Sequence, residues 1–159
     1  MKEITITIPR SDINFDVDAA THIFANVTEI SALQRADTLE SDTDDAAALA
    51  VVSRFADRRV AEMKRQLARF INPAEKASDI ATISTAATYE ITLYVENAFL
   101  EELTTSVAAE MEAYISTGVI CDWYNTVGDA QSQNYAAQLP VILNRLTSLI
   151  VARKIPSRS

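Results

Sequence analysis

Glycine is nearly absent: Gly118 and Gly128 are the only two in 159 residues, against a usual share of about 7%. Sandwiches and barrels of antiparallel strands turn often, and glycine supplies the positive φ of those turns most cheaply. The shortage argues against a turn-rich all-β fold and predicts helices joined by a few loops. Phosphate-cradling loops need clustered glycines, and these two stand ten residues apart, so that class of site is excluded.

Cysteine is limited to Cys121 and histidine to His22. One thiol cannot close an intramolecular disulfide, so nothing points to an oxidising compartment. A lone cysteine is most often a small buried apolar group. Structural zinc needs several Cys and His ligands, and one of each is too few. A Ser–His or Cys–His nucleophile pair has only His22 to draw on. That residue sits in a predicted helix, THIFANV, where an ordinary helical histidine is the simpler reading. The Glu-x-x-His pairs of a di-iron bundle do not occur. The acidic stretch ESDTDD lacks the glycine of a calcium loop and runs straight into a helix. No apolar run approaches the ~20 residues that span a bilayer. The opening MKEITITIPR meets charged residues and Pro9 too early for a signal peptide. The expectation is a single domain over residues 1–159, made in the cytosol, with no cofactor and no membrane partner.

What the chain has in plenty is acid, unevenly placed. Its formal charge is −8, so it repels phosphate backbones as a whole. Residues 1–50 hold ten acidic side chains against Lys2, Arg10 and Arg35. By contrast Arg54, Arg58, Arg59, Lys64, Arg65 and Arg69 crowd one stretch with only Asp57 and Glu62 opposing them, a local 6 − 2 = +4. The last fifteen residues add Arg145, Arg153, Lys154 and Arg158 with no acid, and residues 154–159 form a basic tail. A basic helix face is ordinarily a solvated side whose long stems cover apolar surface. Read functionally, the Arg54–Arg69 stripe and the tail are docking surfaces for an acidic protein or the edge of a nucleic-acid channel.

The periodicities predict a mainly α fold, a bundle of three to four helices with two β-strands. In Lys2 to Ile8 the isoleucines Ile4, Ile6 and Ile8 alternate with threonines, the period of a half-buried strand, and Pro9 stops it. Residues 1–9 are thus an N-terminal strand arm. Asp16 is read as the cap of a helix burying Val17, Ala20, Phe24 and Val27, with Ile30 and Ser31 continuing that face. A polar stretch from Ala36 leads to the N-cap of a long helix, about Thr43 to Ile71, roughly 40 Å in length and ended by Asn72-Pro73. Ala86 to Val95 alternates Tyr89, Ile91, Leu93 and Val95 with polar types and reads as the second strand, the partner of the first. A helix from about Asn97 to Tyr124 carries the stripe Phe99, Leu103, Val107, Met111, Tyr114, Ile115, Gly118 and Cys121. Gly128-Asp129 ends it and caps the last helix, about Ala130 to Lys154, which Pro140 either kinks or restarts. Two strands alone are marginal, so they must pack on the helices or be completed by another chain.

Three stretches, AAALAVVSRFADRRVAEMKRQLARFI, CDWY (Cys121 to Tyr124) and NYAAQLPVILNRLTSLIVARKIPSR, together resemble the head–tail connector (ring, adaptor) proteins of the neck of tailed bacteriophages. The resemblance covers residues 86–158 at the level of pattern, without a diagnostic motif. It implies a non-enzymatic virion component, a homo-oligomeric ring that meets the portal or neighbouring neck and tail proteins. Such a ring passes DNA through its lumen without reading its sequence. The surfaces implicated in that reading are Arg54, Arg58, Arg59, Lys64, Arg65, Arg69, Arg153, Lys154, Arg158 and the strand residues Ile4, Ile6 and Ile8. Two other readings stand beside it: a small acidic helical binding module of inhibitor or immunity type, and an enzyme using carboxylate chemistry in a helical cleft.

Overall fold

The computed structural model describes residues 1–27, 43–71 and 87–153. Among the described residues four helices and two strands make a mainly α bundle with a small sheet: β1 (Lys2–Pro9), α1 (Arg10–Val27), α2 (Ala46–Gln66), β2 (Thr88–Val95), α3 (Thr104–Val127) and α4 (Gln131–Ile150). The stretches 28–42 and 72–86 and the tail from Lys154 lie outside the described residues, as do the side chains of Phe24 and Val27.

β1 and β2 pair with each other, antiparallel, with Ile4 opposite Leu93, Ile6 opposite Ile91 and Ile8 opposite Tyr89. Every second residue therefore faces the helices. Ile6, Ile8, Ile91 and Leu93 are fully buried, and each such side chain contributes about 1.5–3 kcal/mol. α3 is the central element. From Tyr114 to Tyr124 buried side chains surround it, including Ser116, Gly118 and Ile120, as expected of a helix segment enclosed on all sides, while its first turns bury one face through Val107 and Met111. The stripe read in the sequence captured one side of it. Ser116, Val119, Ile120 and Asp122 face the other neighbours.

Several boundaries differ from the sequence reading. α1 begins at Arg10, directly after Pro9, so Asp16 lies inside the helix rather than at its cap. There its carboxylate accepts a 3.0 Å hydrogen bond from Ser116 Oγ on α3. Proline suits this abrupt junction, because it already has a helical φ and no N–H to place. α2 does start after the expected acidic cap: Asp45 accepts from the Ala48 N–H at 3.2 Å. It ends at Gln66, however, and at 21 residues spans about 31 Å rather than 40 Å. The apolar spacing runs on past Leu67, but Ile71 is extended, buried, and forms a bridge to Leu93 on β2. Contact with the sheet edge outweighs the further helix, about 1.4 turns, that would reach Ile71. α3 starts at Thr104 after a turn of 3₁₀-helix, Glu101–Leu103. It ends in a left-handed Gly128 (φ 75°), with the Gly128 and Asp129 N–H groups bonded back to Asn125 and Tyr124, the paired-bond cap that glycine permits. α4 runs without interruption through Pro140, which is exposed, and buries Ile142, Leu146 and Ile150 against the core.

Candidate interaction surfaces

The basic stripe of α2 divides in two. Arg54, Arg58, Arg65 and Arg69 are exposed and Lys64 is half-buried. Arg54, Arg58 and Arg65 sit at i, i+4 and i+11, a spacing that keeps them on one side of the helix. Arg59 leaves this stripe: only 14% of its side chain is exposed. Its Nε and Nη2 donate to the two oxygens of Asp122 at 3.0 and 2.7 Å, and its Nη1 to Glu62 at 2.7 Å. Arg58 approaches the same Asp122 at 3.2 Å. Burial works against the Arg59 charge, but the two carboxylates outweigh it and hold the guanidinium protonated. Gly118 makes this seat. A Cβ at that position would stand 2.5 Å from Arg59 Cδ and 2.8 Å from Cγ, so the arginine stem crosses α3 where a side chain is missing. Asp122, a single acid inside the run ICDWY, was the signal in the sequence for this pair, but its partner could not be read there.

A second cluster joins the β1–α1 junction to α2 and β2. Arg10 Nη2 and the Tyr89 hydroxyl both donate to Asp57 Oδ1 at 2.6 Å, and the Arg10 guanidinium lies 4.3 Å from the Tyr89 ring centroid. Burial first, then the bond to Asp57, pushes the Tyr89 phenol far above its ordinary value. Burial does the same to Tyr124, which stacks on Tyr135 at 5.7 Å. These phenols keep their protons in the folded chain when the unfolded chain, near its usual pKa of about 10, loses them. The folded state then binds more protons, so their stability is fully present below about pH 10 and is lost as pH rises toward the raised folded values. The expected result is an unfolding free energy that is flat up to about pH 9.5, then declines by about 1.4 kcal/mol per pH unit for each such tyrosine. Urea denaturation followed by circular dichroism from pH 8 to 11 checks this; a flat profile would remove the burial from the explanation.

Cys121 is buried, its thiol bonded to the Ser132 carbonyl at 3.4 Å and pushed up in pKa by burial, and His22 lies on the exposed side of α1. Arg153 pairs with Glu96 at 2.6 Å and bridges to Phe99, tying the end of α4 to the approach to α3. Lys154 and Arg158 lie outside the described residues. The Ile6 and Ile8 side chains are turned into the core of their own chain and are not surface groups, whereas Ile4 is half-buried.

What β1 does present is its edge. The Arg10 N–H donates to the Ala87 carbonyl at 3.0 Å, which fixes the phase of the ladder, because directly opposed hydrogen-bonded pairs alternate with non-bonded ones. Lys2, Ile4, Ile6 and Ile8 then spend their backbone groups on β2, while those of Glu3, Thr5 and Thr7 point the other way. Among the described residues no backbone group pairs with them. Pro9 falls on this outward phase, where a strand tolerates a missing donor. The far edge of β2 is different: Ile71 bridges it at Leu93.

Among the described residues no group of three His, Cys, Asp or Glu side chains is placed to hold a metal ion, and no helix is long and apolar enough to cross a membrane. Comparison with protein-family models, with curated proteins and with solved structures finds no match to this chain.

Proposed function

We propose that this chain is a non-enzymatic assembly protein of a phage virion, a homo-oligomeric component of the neck between portal and tail. The outer backbone edge of β1, unpaired among the described residues, carries the proposal: a strand with outward N–H and C=O groups is a template for another chain. The exposed arginines Arg54, Arg58, Arg65 and Arg69 supply a second, charged surface suited to an acidic neighbour or to the phosphates of DNA in a lumen. The sequence resemblance of residues 86–158 to connector proteins points the same way. Sedimentation velocity and mass photometry of the full chain, alone and with a portal protein, test it. The expected result is concentration-dependent association and a complex with the portal. A clean monomer at high concentration that gains no partner on adding the portal would overturn it.

A further inference from the structure

The edge of β1 has a shape that selects its partner. We infer that it pairs with the β1 edge of a second copy, antiparallel about a twofold axis at Thr5, giving a four-stranded sheet in the order β2, β1, β1, β2. The inference rests on the assembly reading above and names the contact that reading left open.

Self-complementarity comes first. Centred on Thr5, the pairing sets Glu3 against Thr7 of the second copy and Thr5 against Thr5, and the groups that meet are the outward ones fixed by the ladder phase. No like charges oppose each other, and paired threonines are favourable cross-strand neighbours. On the inner face Ile4 comes opposite Ile6 of the second copy. Ile4 is half-buried in the single chain whereas Ile6 is 1% exposed, so the apolar face runs out at the place where the second copy would continue it. Pro9 comes opposite Met1, so the ladder ends where a donor is lacking.

The other edge of the sheet supplies the second reason. A head-to-tail contact, β1 of one copy on β2 of the next, meets Ile71 already bridged to Leu93 within β2. Propagation of the sheet is blocked there, and of the sheet edges among the described residues the β1–β1 contact remains, which closes after two copies. A ring must therefore use a separate, heterologous contact, and the dimer is its building unit.

Thr5→Pro separates the possibilities, because the Thr5 N–H faces outward and its loss spares the ladder to β2. Sedimentation velocity should show a dimer in the unaltered chain. In Thr5→Pro, folded by circular dichroism, the dimer Kd should rise by about a hundredfold, since both symmetry-related Thr5 N–H bonds vanish at about tenfold each. A second variant, Thr5→Cys, covers the case in which the proline impairs folding. Directly opposed residues on paired strands lie within disulfide reach, so mild oxidation should yield a covalent dimer through the two introduced thiols, while the buried Cys121 stays reduced. An unchanged dimer Kd in a folded Thr5→Pro, or the absence of a Thr5→Cys crosslink, would overturn the pairing and leave the assembly proposal standing. Monomers of the unaltered chain that still bind a portal would also overturn the pairing alone; monomers that bind nothing would overturn both.

Discussion

Gly118→Ala should destabilise the chain by about 2–3 kcal/mol, and the same substitution made with Arg59→Ala should stabilise it by about 0.5–1 kcal/mol. The reversal follows from the seat. In the native chain an added Cβ stands 2.5 Å from Arg59 Cδ. The stem cannot swing aside, because three hydrogen bonds to Asp122 and Glu62 hold its guanidinium. Forcing it out leaves Asp122, a buried carboxylate, with Arg58 alone, an exposed side chain 3.2 Å away. Breaking a buried pair by losing one partner costs about 3–5 kcal/mol, and the remaining Arg58 reduces that figure. Without Arg59 the obstacle is gone. Alanine then recovers the helical preference that glycine forgoes, about 1 kcal/mol in a helix interior. Urea denaturation of the four members of the cycle gives the sign directly. Additive effects would mean that Gly118 serves something other than the arginine.

Asp57→Ala should lower stability by about 3 kcal/mol, or about 10 °C in Tm for a chain of this length. One carboxylate oxygen takes hydrogen bonds from Arg10 and from Tyr89, so its removal strands a guanidinium and a phenol at once. The side chains of Arg10 and Asp57 are only 16% and 15% exposed, too little for water to replace the lost contacts. The cluster also fixes the corner at which β1 becomes α1 without a loop. Its loss should therefore loosen β1 first, visible as early amide hydrogen exchange at Ile4, Ile6 and Ile8. The paired replacement Arg10→Met with Asp57→Leu should recover most of the loss, because well-packed apolar residues often match a buried ion pair. A cost under about 1 kcal/mol for Asp57→Ala, the range of exposed pairs, would show the cluster to be solvated.

The connection between fold and proposed function runs through burial. β1 is anchored on one side by β2 and beneath by the core, so its outward backbone groups are held in register before any partner arrives. A preorganised edge spares most of the ordering entropy that an unstructured arm would lose on binding. The arginines that remain outside complement this: they add charge on a helix that the core already fixes.

By itself the sequence determined the mainly helical class, both strands and the inward face of each, because alternation and three-four spacing report directly which side chains avoid water. It determined an acidic cap ahead of the long helix and the Gly128 stop, where a single residue type satisfies local backbone groups. The tertiary structure alone decided the rest. The end of α2 at Gln66 depends on Ile71 finding Leu93, and the start of α1 at Arg10 on a strand that runs straight into it. The split of the basic stripe was equally out of reach. Arg59 differs from Arg58 and Arg65 only in what lies opposite, a missing Cβ at Gly118 and a carboxylate at Asp122, and periodicity along one helix carries no information about the helix it crosses. The edge of β1 was half legible: the sequence marked a strand in want of neighbours, and the hydrogen-bond phase set by Arg10 and Ala87 decided that Glu3, Thr5 and Thr7 face outward.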